Sequence, residues 1–271
     1  MGGRVRGDLP GPPPGVPRPT GPAAGRRRRR PAGSASPRRA GGSRRRRDRA
    51  VSRGTLAFVG GGEFSAGCDF DAGLLAESAA REVVVLPTAT AYENPARLRS
   101  RATEWFRALG VGCRWLDVYR RADADDPSAA AAVADAAVIY LTGGSPLHAR
   151  STLLRTAVWE ALVAASAGGA TVVGSGAGGN VLCDHMVDVR GGAFTLGLGL
   201  TDDLAMISRA DTLSAERIAR TVRLAPAGLL VAAVAERSAL IHRPDGSWEA
   251  VGDVTLYRNG APIGAAALGA S

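Results

Sequence analysis

Between residues 55 and 174 the sequence repeats one device: a short, continuous apolar run that stops at glycine or proline. Residues 55–59 run into Gly60-Gly61-Gly62, and residues 82–86 into Pro87. Residues 138–141 end at Thr142-Gly143-Gly144 and residues 170–173 at Gly174, while 111–118 form a less regular fifth run. Runs of four or five apolar residues are too short for buried helices. They do not alternate with polar residues, so they read as strands covered on both faces. The intervening segments 96–109 and 147–165 carry Ala, Leu and Arg at helical spacing. Strand and helix in alternation predict an α/β fold whose mostly parallel sheet carries helices on both faces.

Past residue 225 the pattern tightens to strands at 229–234, 239–242 and 254–257, with Pro244-Asp245-Gly246 and Asn259-Gly260 as hairpin turns. Extra C-terminal hairpin strands are therefore expected. In parallel sheets ligands bind at the carboxyl ends of the strands. The glycine clusters 60–62, 143–144 and 174–179 all follow strands, which predicts that they meet at one edge.

Charge divides the chain in two. Residues 1–50 hold 15 Arg and two acids, whereas 51–271 hold 19 Arg and 23 acids, with no Lys in the chain. Residues 1–52, rich in Arg, Pro and Gly, have too few large apolar side chains to offset the entropy of ordering and are expected to be a disordered tail. A second reading takes Val51 as the true start. Contact with nucleic acid is expected only through the runs 26–30 and 44–47, which lack interleaved aromatics. Residues 53–271 form the folded domain. No apolar stretch reaches the eighteen residues of a membrane span, and no apolar signal core opens the chain, so no membrane partner and a cytoplasmic location are expected. Cys68, Cys113 and Cys183 are odd in number and widely spaced, which suggests neither a disulfide framework nor a metal knuckle. No cofactor or metal is expected.

Residues 171–183 form a strand, a glycine turn (Gly174-Ser175-Gly176-Ala177-Gly178) and a helix start. A nucleophile elbow has this form, with the reactive residue third in the turn. The segment resembles the elbow of the peptidase E and cyanophycinase serine peptidases, whose pattern is Gly-x-Ser-Ala-Gly-Ala. Flanking motifs resemble the same family: Phe58-Val59-Gly60-Gly61-Gly62-Glu63, Val85-Leu86-Pro87-Thr88-Ala89, Ile139 to Gly144 with Leu147, and Asp184-His185-Met186-Val187-Asp188 leading into a glycine-rich stretch. The resemblance covers roughly residues 54–260. It implies a class I glutamine amidotransferase-like fold, related to the flavodoxin-like sheets, and cleavage of aspartyl dipeptides or β-linked aspartyl-arginine polymers.

Carried over residue by residue, the resemblance puts Gly176 at the serine position and Arg209 at the histidine position. Asp184 is the favoured acidic partner, with Asp188 as an alternative. The oxyanion donors fall on the amides of Gly144 and Ala177, beside Gly143, and Arg217 with Arg220 could hold a substrate carboxylate. Glycine supplies no nucleophile, and a guanidinium does not act as a general base. The expectation is a catalytically degenerate family member that binds an acidic peptide or similar anion. One alternative is an active serine-type hydrolase whose nucleophile has moved to Ser175. Another is a nucleotide-binding module, because Gly174, Gly176 and Gly179 also satisfy the dinucleotide fingerprint. His148 and His242 read as structural, Cys183 as a small buried hydrophobe, and His185 as a displaced base beside Asp184.

Overall fold

The computed structural model describes residues 54–188, 190–264 and 268. The arginine-rich tail expected at 1–52 lies outside the described residues. In chain order the elements are β1 (Leu56–Val59), α1 (Phe70–Ser78), β2 (Glu82–Leu86), α2 (Pro95–Ala108), β3 (Gly112–Trp115), α3 (Arg121–Ala124), α4 (Pro127–Ala134) and β4 (Val138–Leu141). There follow α5 (Pro146–Leu153), α6 (Ala157–Ala167), β5 (Thr171–Ser175), α7 (Ala177–Leu182), β6 (His185–Val187) and β7 (Phe194–Leu196). The chain continues with β8 (Leu204–Ser208), α8 (Ala215–Leu224), β9 (Leu230–Val234), β10 (Ala239–His242), β11 (Trp248–Val251), β12 (Val254–Arg258) and β13 (Ala261–Ile263).

Seven strands form the main sheet in the order β11-β10-β1-β5-β4-β2-β3. The five from β1 to β3 in that order are parallel, and the C-terminal β10 and β11 extend the edge antiparallel. The inner parallel strands send alternate residues to opposite faces, and both sets are apolar. Leu56, Phe58, Ile139, Leu141 and Val172 join one core. Ala57, Val59, Val138, Tyr140 and Val173 join the other. This two-sided burial is why the strands read as unbroken apolar runs. Helices α1 and α2 cover the second face, while α4 to α7 cover the first. No helix among the described residues is long and apolar enough to cross a membrane.

A second sheet, ordered β13-β12-β9-β8, pairs β8 with β9 in parallel and builds its own small core against α8. Its position was not legible as a separate sheet: β8 and β9 have the same apolar character as the main strands. The stretch 147–165, expected to be one helix, is two. Arg155 turns into the left-handed region (φ 57) and the Thr156 side chain accepts from Trp159 N, restarting the chain as α6. The irregular run 111–118 shortens to the edge strand β3.

Candidate active site

The tip of the turn after β5 is Gly176, which caps α7 at φ 50, ψ −110. That conformation lies outside the wells open to ordinary L-residues, and glycine adopts it without steric cost. It is held from three sides. Gly176 N donates to Val59 O (2.8 Å), Gly178 N to Thr142 O (3.1 Å), and Asn180 N to Gly176 O (3.0 Å). The neighbouring glycines serve packing rather than the turn itself. A Cβ on Gly174 would stand 2.6 Å from Gly179 N, and one on Gly178 would collide with Leu141 O. Their bareness lets α7 press against β4 and β5. Above Gly176 the situation differs: a Cβ there meets only Gly143 Cα, at an ordinary 3.5 Å.

The elbow opens into a cleft of about 780 Å³ at the carboxyl ends of the strands. Gly61, Gly62, Gly143, Gly144 and Gly176 all line it, so the three glycine clusters do meet at one edge. Ser175, one residue before the tip, faces away. It is fully buried, and its hydroxyl donates to Glu63 Oε2 at 2.8 Å. The other Glu63 oxygen accepts from Gly143 N at 2.8 Å. Glu63 thus ties the loop after β1 to the loop after β4 and to the end of β5. The carbonyl of the same residue accepts from Arg101 Nη2 at 2.8 Å.

Gly143 therefore offers no free amide. Among the described residues, Gly144 N and Ala177 N donate to no protein acceptor. Asn180, 1% exposed, also lines the cleft. Its Nδ2 donates to Ser208 Oγ at 3.2 Å, and its Oδ1 has no partner.

Arg209 follows β8 in a left-handed conformation (φ 54), its amide fixed to Gly60 O at 2.8 Å. Its side chain passes over Gly61, where a Cβ would come within 3.1 Å of Arg209 Cγ. Its Nε lies 2.8 Å from Glu236 Oε1, and both residues line the cleft. The acidic neighbour of this position is Glu236, at the end of β9, and not Asp184. Asp184 lies beyond the far end of α7, roughly 9 Å of helix from the elbow, where its Oδ1 approaches His185 Nδ1 at 2.9 Å. Neither residue lines the cleft, which removes His185 from reach of the elbow as well. Asp188 does line it.

Six arginines face this cleft among the described residues: Arg97, Arg101, Arg190, Arg209, Arg217 and Arg220. Four acids do so, namely Glu63, Glu93, Asp188 and Glu236. The cleft is basic although residues 51–271 carry more acids than arginines. The two cationic pairs come from different helices, Arg97 and Arg101 from α2 and Arg217 and Arg220 from α8. Guanidinium forks match carboxylates in a bidentate geometry. Sequence reasoning missed Glu63, Glu236, Asn180, Arg97 and Arg101 as cleft residues. Only Glu63 left a signal, at the end of its glycine motif.

The remaining candidates sit elsewhere. His148 Nε2 is 2.8 Å from Tyr119 O, and its ring packs edge-on to Tyr92. His242 stacks near Trp248 at 4.4 Å, and burial lowers its pKa. Cys183 is fully buried, which pushes its thiol pKa far up. Beneath the cleft, Asp71 is buried against Trp105, whose Nε1 donates to its Oδ2 at 2.9 Å. Burial, reinforced by the charge of Glu63, raises the Asp71 carboxyl to about 7.

Comparison with solved structures finds a peptidase from an acI-B1 Actinobacterium. Its TM-score is 0.68 at 24% identity, covering 79% of this chain and 98% of that one. A Listeria monocytogenes EGD-e protein named as peptidase E follows, with a TM-score of 0.52 at 16% identity, covering 76% of this chain and 98% of its own. At such identities these likenesses establish the fold. No curated protein matches. The sequence profile of peptidase family S51 matches residues 56–243, a span that takes in the glycine loops, the elbow, Arg209 and Glu236, and the chain belongs to that family.

Proposed function

We propose that the protein is a peptidase S51 member that binds an acidic peptide or comparable small anion without hydrolysing it. The observation that carries this reading is Gly176: the strained backbone of an elbow is kept at the tip, and the tip has no side chain. Covalent acyl transfer needs a nucleophile and a base beside it. At the base position stands Arg209, a guanidinium that does not act as a general base and is paired with Glu236. Loss of one such group typically costs several orders of magnitude in rate. The six arginines of the cleft supply the attraction for an anion.

Relocation of the nucleophile to Ser175 is disfavoured by its burial and its bond to Glu63, which leave the hydroxyl on the wrong side of the strand. A dinucleotide site is disfavoured by Gly174 and Gly179, whose bareness is used up in mutual packing and against Met206.

Calorimetric titration with acidic dipeptides tests the reading. Binding should occur, weaken as salt rises from 50 to 300 mM, and weaken further in Arg220→Ala. Absence of binding to every acidic peptide, or tighter binding of neutral peptides, would refute it.

A further inference from the structure

Resting on that reading, we infer that the elbow is the seat of the ligand's terminal carboxylate, so that the protein reads the free C-terminus of a short acidic peptide. Four observations converge. The amides of Gly144 and Ala177 reach no protein acceptor. The space over Gly176 is bounded only by Gly143 Cα at 3.5 Å from where a Cβ would stand. The exposed Arg209 guanidinium, in the cleft lining, fixes a positive charge where a catalytic base is expected. Asn180 Oδ1 is a deeply buried acceptor without a partner in the cleft lining.

A tetrahedral oxyanion needs two donors and an attacking oxygen beneath the carbon. A carboxylate needs the same two donors and nothing beneath it. Replacing a serine by Gly176 removes the atom that would crowd a planar carboxylate, and Arg209 adds the countercharge it requires. The two substitutions are thus complementary, each favouring an anion that stays bound. A peptide C-terminus presents one further group, the N–H of its last residue. Asn180 Oδ1 is the acceptor suited to it. Glu63, a carboxylate of the cleft lining, is occupied by Gly143 N and Ser175 Oγ. Glu236 is occupied by Arg209.

The test compares one probe pair on the full chain, the dipeptide Gly-Asp and its C-terminal amide Gly-Asp-NH2, by calorimetry. Charge-assisted bonds from two amides predict that the amide binds about tenfold weaker or worse. Gly176→Ala places a methyl in the seat. It should weaken Gly-Asp to about the affinity that the parent shows for the amide. Equal affinity for the two probes overturns the inference while leaving anion binding intact. Binding of neither probe, nor of other acidic peptides, overturns both. The probe pair decides the question on the unaltered chain even if Gly176→Ala does not fold.

Discussion

Arg209 Nε lies 2.8 Å from Glu236 Oε1, so the guanidinium is oriented by a carboxylate that follows β9. An imidazole in the same place would find the same carboxylate as its orienting partner. Glu236→Gln should release the guanidinium and raise affinity for acidic dipeptides by about three- to tenfold, since a desolvated charge pair is worth roughly 1 kcal/mol at a partly exposed site. Titration of the variant beside the parent checks this, and a fall in affinity would mean that the carboxylate positions Arg209 for the ligand.

Ser175 is a structural hydroxyl in this account. Ser175→Ala removes one of two donors to the buried Glu63 carboxylate. The expected cost is about 1–3 kcal/mol of stability, read from denaturant midpoints at pH 7. Acidic-peptide affinity should stay within a factor of two.

Glycines in the elbow differ in what they tolerate. Gly178→Ala drives a methyl into Leu141 O and Leu141 Cβ, and should destabilise by about 2–3 kcal/mol or prevent folding. Gly176→Ala meets open space, and its cost is confined to backbone strain on the order of 1 kcal/mol. Thermal melts of the two variants should separate clearly.

Asp71 predicts a pH signature. Its carboxyl is raised from 3.8 to about 7 by burial, so the folded state holds a proton that the unfolded chain releases near pH 4. The associated stability is present in full below about pH 4 and is lost as pH rises toward 7, after which it is flat. Asp71→Asn keeps an oxygen for Trp105 Nε1 and removes the titration. It should flatten the profile between pH 4 and 7 and leave the variant more stable than the parent at pH 8, by on the order of 4 kcal/mol.

What could be read in advance followed the local chain. Apolar runs ending in glycine or proline marked β1, β2, β4 and β5 to within a residue or two, and Pro244-Asp245-Gly246 marked the turn after β10, because these signals are contained in a few consecutive residues, whereas β11 (Trp248–Val251) went unread. The elbow was legible for the same reason. Its surroundings were not. Glu63 meets Ser175 across 112 positions and Gly143 across 80, and Arg209 meets Glu236 only because β8 and β9 lie parallel in a second sheet. The resemblance favoured Asp184 as the acidic partner, but α7 carries it to the opposite end of the helix from the elbow. Arg97 and Arg101 lie in the helical segment 96–109, and nothing in its spacing says that they line the cleft.

Hydrolysis of an aspartyl dipeptide panel tests the central claim most directly, comparing the parent with Gly176→Ser combined with Arg209→His, and with Ser175→Ala. The account predicts an inactive parent, and turnover in the double variant, whose serine would stand on an intact elbow with Glu236 behind the new imidazole. Turnover by the parent that Ser175→Ala abolishes would contradict it.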